Sequence, residues 1–422
     1  MTNQTQQSST DSPHTSINTP SPNTHNPTFA KLWVMMLGIM VAIGPLSIDM
    51  YLPALPAMAD DFGVSTAFIA NSVPAYFVGL VFGQLFYGPF SDRVGRVLPL
   101  YIGMTLFVLA TLVCVTTSSE YVLFIARTMQ ALGACVTSVV TRAAIRDVMS
   151  PKQMAKAFSL MVLVMGIAPI LAPSLGAVVL WFFDWHAIFW FLLAFGVLNL
   201  LLTKLFFKET LPPEYRNHHS IKQVFKQYWE LLTDKRFSLP AIGGGLLMGS
   251  MFVYISSASE LLMESYGLSE STFSVVFGAN AAGYIALTQL NQWLTNHFRL
   301  VSILRFGAMQ QAIASAGLML LGLTMGTTAW LPLVLVCIFM CISGLGLTQP
   351  NAGAISLAFQ KHRAGMASAL QGALMFSVGI FGGFLLNLLP INPVAKLGMT
   401  MFVLMLIGTV LVWKINPKLS LN

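Results

Sequence analysis

The sequence predicts an all-α membrane protein of twelve transmembrane helices arranged as two six-helix halves, and three observations predict it. Of the 422 residues, 56% are hydrophobic and only 9% charged, whereas about a quarter of a soluble domain is charged. The apolar residues come in continuous runs of about twenty, the length that crosses a bilayer as a helix, without the alternation of a membrane β-barrel. One long polar stretch, 208–237, divides these runs six and six. A soluble multi-domain enzyme is thereby excluded. The net charge of +7, which would suggest nucleic acid as the partner of a soluble protein, is explained by membrane topology.

Residues 1–29 are mostly Ser, Thr, Asn, Gln and Pro. They cannot bury a core, so a disordered cytoplasmic tail is expected. No basic segment followed by a cleavage site marks a signal peptide, and the first span itself would direct insertion. The N-terminal half, 30–207, supplies the spans Leu32–Ala54, Thr66–Tyr87, Val97–Thr116, Tyr121–Arg142, Met154–Trp181 and His186–Phe207. In the cytoplasmic linker, 208–237, apolar residues recur at helical spacing among lysines from Ile221 to Leu232, which predicts an amphipathic helix on the inner membrane surface. The adjacent His218 and His219 have no further ligands near them and read as a solvated turn. The C-terminal half, 238–415, supplies Ser238–Ser259, Ser271–Leu294, Leu300–Met325, Trp330–Gln349, Gly365–Leu389 and Lys396–Ile415, and 416–422 is a second cytoplasmic tail. The four cysteines, Cys114, Cys135, Cys337 and Cys341, lie in apolar runs without zinc-ligand context and read as small core residues. No metal and no cofactor is expected.

Basic residues set the orientation. With the N-terminus inside, all but two of the 22 lysines and arginines fall on the inner side. Lys396 falls outside, and Arg127 lies within a span. Both termini and the linker are therefore expected to face the cytoplasm. Six spans on either side of a cytosolic linker suggest two related halves around a midplane cavity.

Between the second and third spans lies Gly83–Arg96, GQLFYGPFSDRVGR, read as a short charged turn. Gly88 would allow close helix approach and Gly95 a tight turn. Asp92 would cap a helix or pair with an arginine. Arg93 and Arg96 supply charge, and Asp147, at the inner end of the fourth span, is the candidate partner of Arg96. The plainer alternative is topogenic charge plus a turn. This stretch resembles the loop signature of the major facilitator superfamily through Gly88, Asp92, Arg93, Gly95 and Arg96. Further motifs narrow the resemblance to the bicyclomycin-resistance (Bcr/CflA) group of drug–proton antiporters. They are SIDMYLPALP (Ser47–Pro56), RTMQALG (Arg127–Gly133, with Ala131 where the family has glycine) and MGIAPILAPSLGA (Met165–Ala177). The resemblance covers residues 30 to 415. It implies a proton-coupled multidrug exporter in a bacterial inner membrane, a major facilitator fold, a cytoplasmic gate at 88–96 and a coupling role for Arg127.

Asp49 is the only acid well inside a span and Arg127 the only base. An ionisable group in a membrane helix is costly and a functional candidate by default. Burial favours the neutral form of a carboxyl and a nearby cation favours the charged one, so a carboxyl between these effects can load and release protons. At 1.5 Å per residue both side chains lie roughly 8 Å in from the outer ends of their helices. They could pair, with proton and cargo competing for Asp49; the alternative is a carboxylate capping backbone near Pro53 and Pro56. Gly166, Pro169, Pro173 and Gly176 predict a kinked fifth helix with a smooth face, able to meet its second-half partner. Tyr51, Asn71, Tyr76, Tyr254, Asn280, Gln289, Asn351 and Gln371 are candidates for the substrate cavity, or else for packing.

The expected activity is drug:H+ antiport by alternating access, exporting small amphipathic antibiotics such as chloramphenicol- or bicyclomycin-like compounds, driven by the proton gradient, in a monomer with the lipid bilayer around it. The scarcity of charge in the spans favours uncharged or cationic cargo. One alternative is a same-fold exporter of a physiological metabolite, amino acid or siderophore, which should carry more fixed charges in its cavity. Another is a polytopic membrane enzyme, which should cluster acids or histidines at one membrane face; no such cluster occurs.

Overall fold

The computed structural model describes residues 27–216, 220–360 and 363–416; the polar N-terminal tail, His218 and His219 lie outside the described residues. Every regular element described is helical. The spans are α1 (Pro27–Asp49), α2 (Ser72–Val94), α3 (Val97–Thr116), α4 (Glu120–Val148), α5 (Pro151–Phe182), α6 (His186–Phe206), α7 (Lys235–Ser259), α8 (Glu270–Leu294), α9 (Leu300–Met325), α10 (Leu331–Ser343 continued by Leu345–Leu357), α11 (Ala364–Leu388) and α12 (Pro393–Trp413). Among the described residues eleven helices are long and apolar enough to cross a membrane. In α5, which has 32 residues, the described apolar part is Ile167–Phe182. Exposed large apolar side chains on these helices, such as Phe82, Phe86, Leu171, Phe306 and Phe384, suit a lipid surround.

Several boundaries differ from the sequence reading, each for a physical reason. α4 runs on to Val148, six residues beyond Arg142, because its inner end packs on α2 and α3 as a solvated continuation of the span. α10 continues to Leu357 with a local break at Gly344. The stretch Gly83–Arg96 is not a turn: α2 stays helical through Val94, and the change of direction is confined to Gly95, whose φ is +100°. α1 ends at Asp49, where a 3-10 turn at Leu52–Ala54 and a short helix, Leu55–Phe62, carry the chain outward. The linker helix, Ile221–Thr233, begins at a Ser220–Gln223 capping box.

We name the end of the bundle that carries the linker the inner end and the opposite end the outer. Outer contacts join the two halves. Asn387 donates to the Asn71 side-chain oxygen at 2.5 Å, Ser259 to the Leu52 carbonyl at 2.7 Å, and Ser274 to the Pro173 carbonyl at 3.1 Å. Below them Phe77 of α2 packs on Phe252 of α7 and Phe376 of α11, with centroids 4.6 and 6.0 Å away. Toward the inner end the faces become accessible. Along α4, Arg127 and Ala131 are buried, Ser138 is half-buried, and Arg142 and Arg146 are exposed; along α8, Ser274 is buried and Gln289 exposed. The two halves thus meet at the outer end, and Arg142, Arg146 and Gln289 toward the inner end are exposed. The linker helix ties the inner ends together. Tyr228 donates to the Leu85 carbonyl of α2 at 3.1 Å, Glu230 pairs with Arg363 at 2.7 Å, and Gln360 donates to Asp234 at 2.9 Å.

Candidate functional site

Arg127 is fully buried on α4, so its guanidinium needs partners; its two terminal nitrogens find them, and Nε has none among the described residues. Nη2 donates to the Ser47 carbonyl of α1 at 2.7 Å and Nη1 to Oε1 of Gln130 at 2.5 Å. Gln130 in turn donates to Thr111 of α3 at 2.8 Å, and Thr111 to the Phe107 carbonyl at 2.6 Å. The guanidinium plane lies between two rings, 4.3 Å from the centroid of Tyr51 and 4.5 Å from that of Tyr76, with Phe189 at 5.8 Å. Tyr51 is held by a 2.9 Å hydrogen bond with Ser72. Such an aromatic cage stabilises a cation where water is excluded.

Asp49 is 3% exposed, at the last residue of α1, and its Oδ1 has no hydrogen-bond partner. No ion pair joins it to Arg127. The expected pairing is therefore absent from this conformation: Arg127 reaches the backbone two residues before Asp49 instead of its carboxyl. A buried carboxylate without a counter-charge costs several kcal/mol, and it would also sit at the negative end of its helix, so this arrangement suits the neutral acid.

The inner charge network centres on Arg96, which is 4% exposed. Its Nε and Nη2 donate to Asp147 at 2.8 and 3.3 Å, and its Nη1 to Asp92 at 2.6 Å and Ser91 at 2.9 Å. Burial pulls the pKa of Arg96 down, but the hydrogen bond and charge of Asp147, then Asp92, outweigh it and hold the pKa above the ordinary arginine value. Asp147 also accepts from Thr210 at 3.0 Å. Glu209 accepts the backbone N–H of Arg96 at 2.9 Å and that of Val97 at 3.4 Å, which caps the start of α3. The Asp92–Arg96–Asp147 geometry matches the sequence reading, whereas two of its neighbours do not. Arg93 is exposed and outside the network. Gly88 makes no close helix approach, since a Cβ there would meet nothing within 4 Å; Gly79 and Gly83 take that part, against Thr128 and Cys135 of α4. The network also stays within the first half and residues 209–210, so it is not a latch between halves in this conformation.

The helix α5 runs unbroken through Pro169 and Pro173. It meets α8 where Ser274 bonds the Pro173 carbonyl and Gly278 faces Ile170. Gly176 does not face the second half: its Cβ position abuts the carbonyl of Met50, the residue after α1. Gly166 lies among residues whose surroundings are not described. The cavity candidates scatter. Tyr51 and Tyr76 cage Arg127, and Asn71 closes the outer end. Tyr254 accepts from Asn280 at 3.1 Å, and Asn351 donates to Asn291 at 2.6 Å. Gln371 accepts from Ser356 at 3.0 Å, and Gln289 is exposed on α8. Sequence reasoning missed Gln130, Thr111 and Glu209. Gln130 stood in a quoted motif without a role, and Glu209 acts across 113 residues of chain.

The major facilitator superfamily model matches residues 37–384. The chain belongs to the major facilitator superfamily. It is 35% identical over 391 residues to the uncharacterized MFS-type transporter YdgK of Bacillus subtilis, covering 91% of this chain and 96% of the relative. It is 27% identical over 370 residues to the bicyclomycin resistance protein homolog of Haemophilus influenzae, covering 88% and 92%. Its fold superposes on the crystal structure of the nucleoside transporter NupG with a TM-score of 0.69 at 13% identity, covering 90% of this chain and 98% of that one. The superfamily chain is thus a multi-pass membrane transporter with a small-molecule substrate, not an enzyme.

Proposed function

We infer that this transporter is a proton-coupled exporter of small amphipathic drugs, of the bicyclomycin-resistance (Bcr/CflA) kind, in a bacterial inner membrane with its inner end in the cytoplasm. One observation carries the reading: a single acid at membrane depth, Asp49, is buried with an unpartnered carboxyl oxygen, two residues along α1 from the Ser47 carbonyl that holds the caged Arg127. The kinship to a bicyclomycin resistance protein homolog supports the cargo class. Asp49 takes a proton when the outer end is open, and the neutral acid permits the outer seal to form. Cargo leaves for the outside after Asp49 has lost its proton to the cytoplasm and the halves have rocked back. Arg127, held on the Ser47 carbonyl while Asp49 is neutral, offers the counter-charge when Asp49 ionises. No covalent step is needed.

Expression in an efflux-deficient strain tests this with an antibiotic panel that includes chloramphenicol. Resistance is expected to rise at least fourfold, to vanish with a protonophore, and to be lost in Asp49→Asn while membrane expression persists. Resistance that survives collapse of the proton gradient, or full resistance in Asp49→Asn, removes the antiport reading.

A further inference from the structure

Five acids at the inner end are committed to other partners, while Glu214 is exposed on the linker. Asp92 and Asp147 hold Arg96, Glu209 holds the Arg96 and Val97 amides, Glu230 pairs with Arg363, and Asp234 caps α7 and receives Gln360. Of the arginines there that make no ion pair, two share one face of α4. Arg142 and Arg146 stand one turn apart on α4, both exposed, and neither makes an ion pair or hydrogen bond among the described residues. They do not continue a lipid-facing stripe, because Ser138 and Cys135, one and two turns before Arg142 on the same face, are half-buried and buried. The guanidinium of Arg146 lies 3.4 Å from where a Cβ of Gly365 would stand, at the start of α11, so this face of α4 looks across at the second half. Arg142 lies about 9 Å from the end of α4 at Val148, at 1.5 Å per residue, and thus above the Arg96 network and within the depth of the span.

Two neighbouring cations without ion pairs, next to protein rather than in bulk water, attract an anion more strongly than a single solvated charge does. A guanidinium grips a carboxylate through two parallel hydrogen bonds. The geometry points to an anion site in which Arg142, backed by Arg146, receives the carboxylate of a cargo molecule entering from the inner end. The exported class then includes small amphiphiles that bear a carboxylate, beyond the uncharged and cationic compounds that the charge-poor spans suggest. This assignment rests on the export reading. An anionic lipid headgroup has the same chemistry, and the test separates the two sources.

The full chain is reconstituted in vesicles of phosphatidylcholine alone, and in a second set with phosphatidylglycerol added, under an imposed proton gradient. The probes are norfloxacin and nalidixate, the methyl ester of each, and chloramphenicol. At least one acid should be carried faster than its ester. Arg142→Gln should lower transport of that acid at least tenfold in phosphatidylcholine, while the ester and chloramphenicol change less than twofold. Arg142→Lys, which keeps the charge without the fork, should fall between. Unchanged chloramphenicol transport shows that the variants are folded. Equal losses for acid and ester, or carriage of chloramphenicol with neither acid carried, overturn the site. An Arg142 effect confined to vesicles with phosphatidylglycerol assigns the arginines to a headgroup and overturns it too. A wild-type protein that carries no probe overturns the export reading and the site with it.

Discussion

At the scale of single residues, Arg127 and Asp49 divide the labour of a charge pair without forming one in this conformation. Arg127 is held through its two terminal nitrogens by a carbonyl and an amide and through its face by two rings, with Nε left without a hydrogen bond, so it can stay charged while Asp49 is neutral. Gln130 keeps it there. Gln130→Leu leaves a buried guanidinium N–H unpaired and should cost about 3 kcal/mol, read as a lower unfolding temperature of the purified protein, with efflux falling in parallel. Thr111→Val removes the second and third bonds of the chain, leaves the buried Gln130 amide without its acceptor, and should cost about 1–3 kcal/mol. That Asp49 and Arg127 are candidates was legible in the sequence because ionisable residues inside apolar runs are rare. That they are unpaired was not. Helix depth gives height along the bundle but not the direction in which a side chain turns, and Ser47 lies at nearly the same height as Asp49.

At the scale of elements, the charged connection between α2 and α3 shows which glycines carry a constraint. Gly95 adopts φ +100°, and its Cβ position is occupied by the Glu209 carboxylate. Gly95→Ala should cost about 1–3 kcal/mol in backbone strain and also displace the cap of α3. Gly88→Ala should be neutral, or gain up to about 1 kcal/mol, because Gly88 is a mid-helix glycine with open space around it. Thermal unfolding of the two variants side by side checks this contrast, and equal effects would contradict the placement of the turn at Gly95. The sequence motif names both glycines with equal weight. Only the packing separates them, since Gly79 and Gly83, not Gly88, touch α4. Glu209 illustrates the same limit: its partners lie 112 and 113 residues away, and no local pattern announces such a contact.

At the scale of the whole molecule, twelve helices, their order and the linker that divides them were legible, because each span is a long apolar run and each boundary a short polar one. The conformation was not, because it depends on which faces of the two halves meet. The outer end closes through Asn71–Asn387, Ser259–Leu52 and the Phe77, Phe252 and Phe376 cluster. If these contacts are one end of an alternating-access cycle, cysteines at 71 and 387, in a background without Cys114, Cys135, Cys337 and Cys341, should abolish transport when joined by a short thiol crosslinker. A reducible crosslinker should allow recovery on reduction; transport that continues in the crosslinked protein would contradict the cycle. The central claim is that Asp49 is the proton site of an exporter, and chloramphenicol transport in proteoliposomes under an imposed pH gradient tests it most directly. Wild type should accumulate the drug against its gradient only while the pH difference lasts. Asp49→Asn should carry it at least tenfold more slowly with no response to pH, and gradient-driven transport at the wild-type rate in that variant would contradict the account.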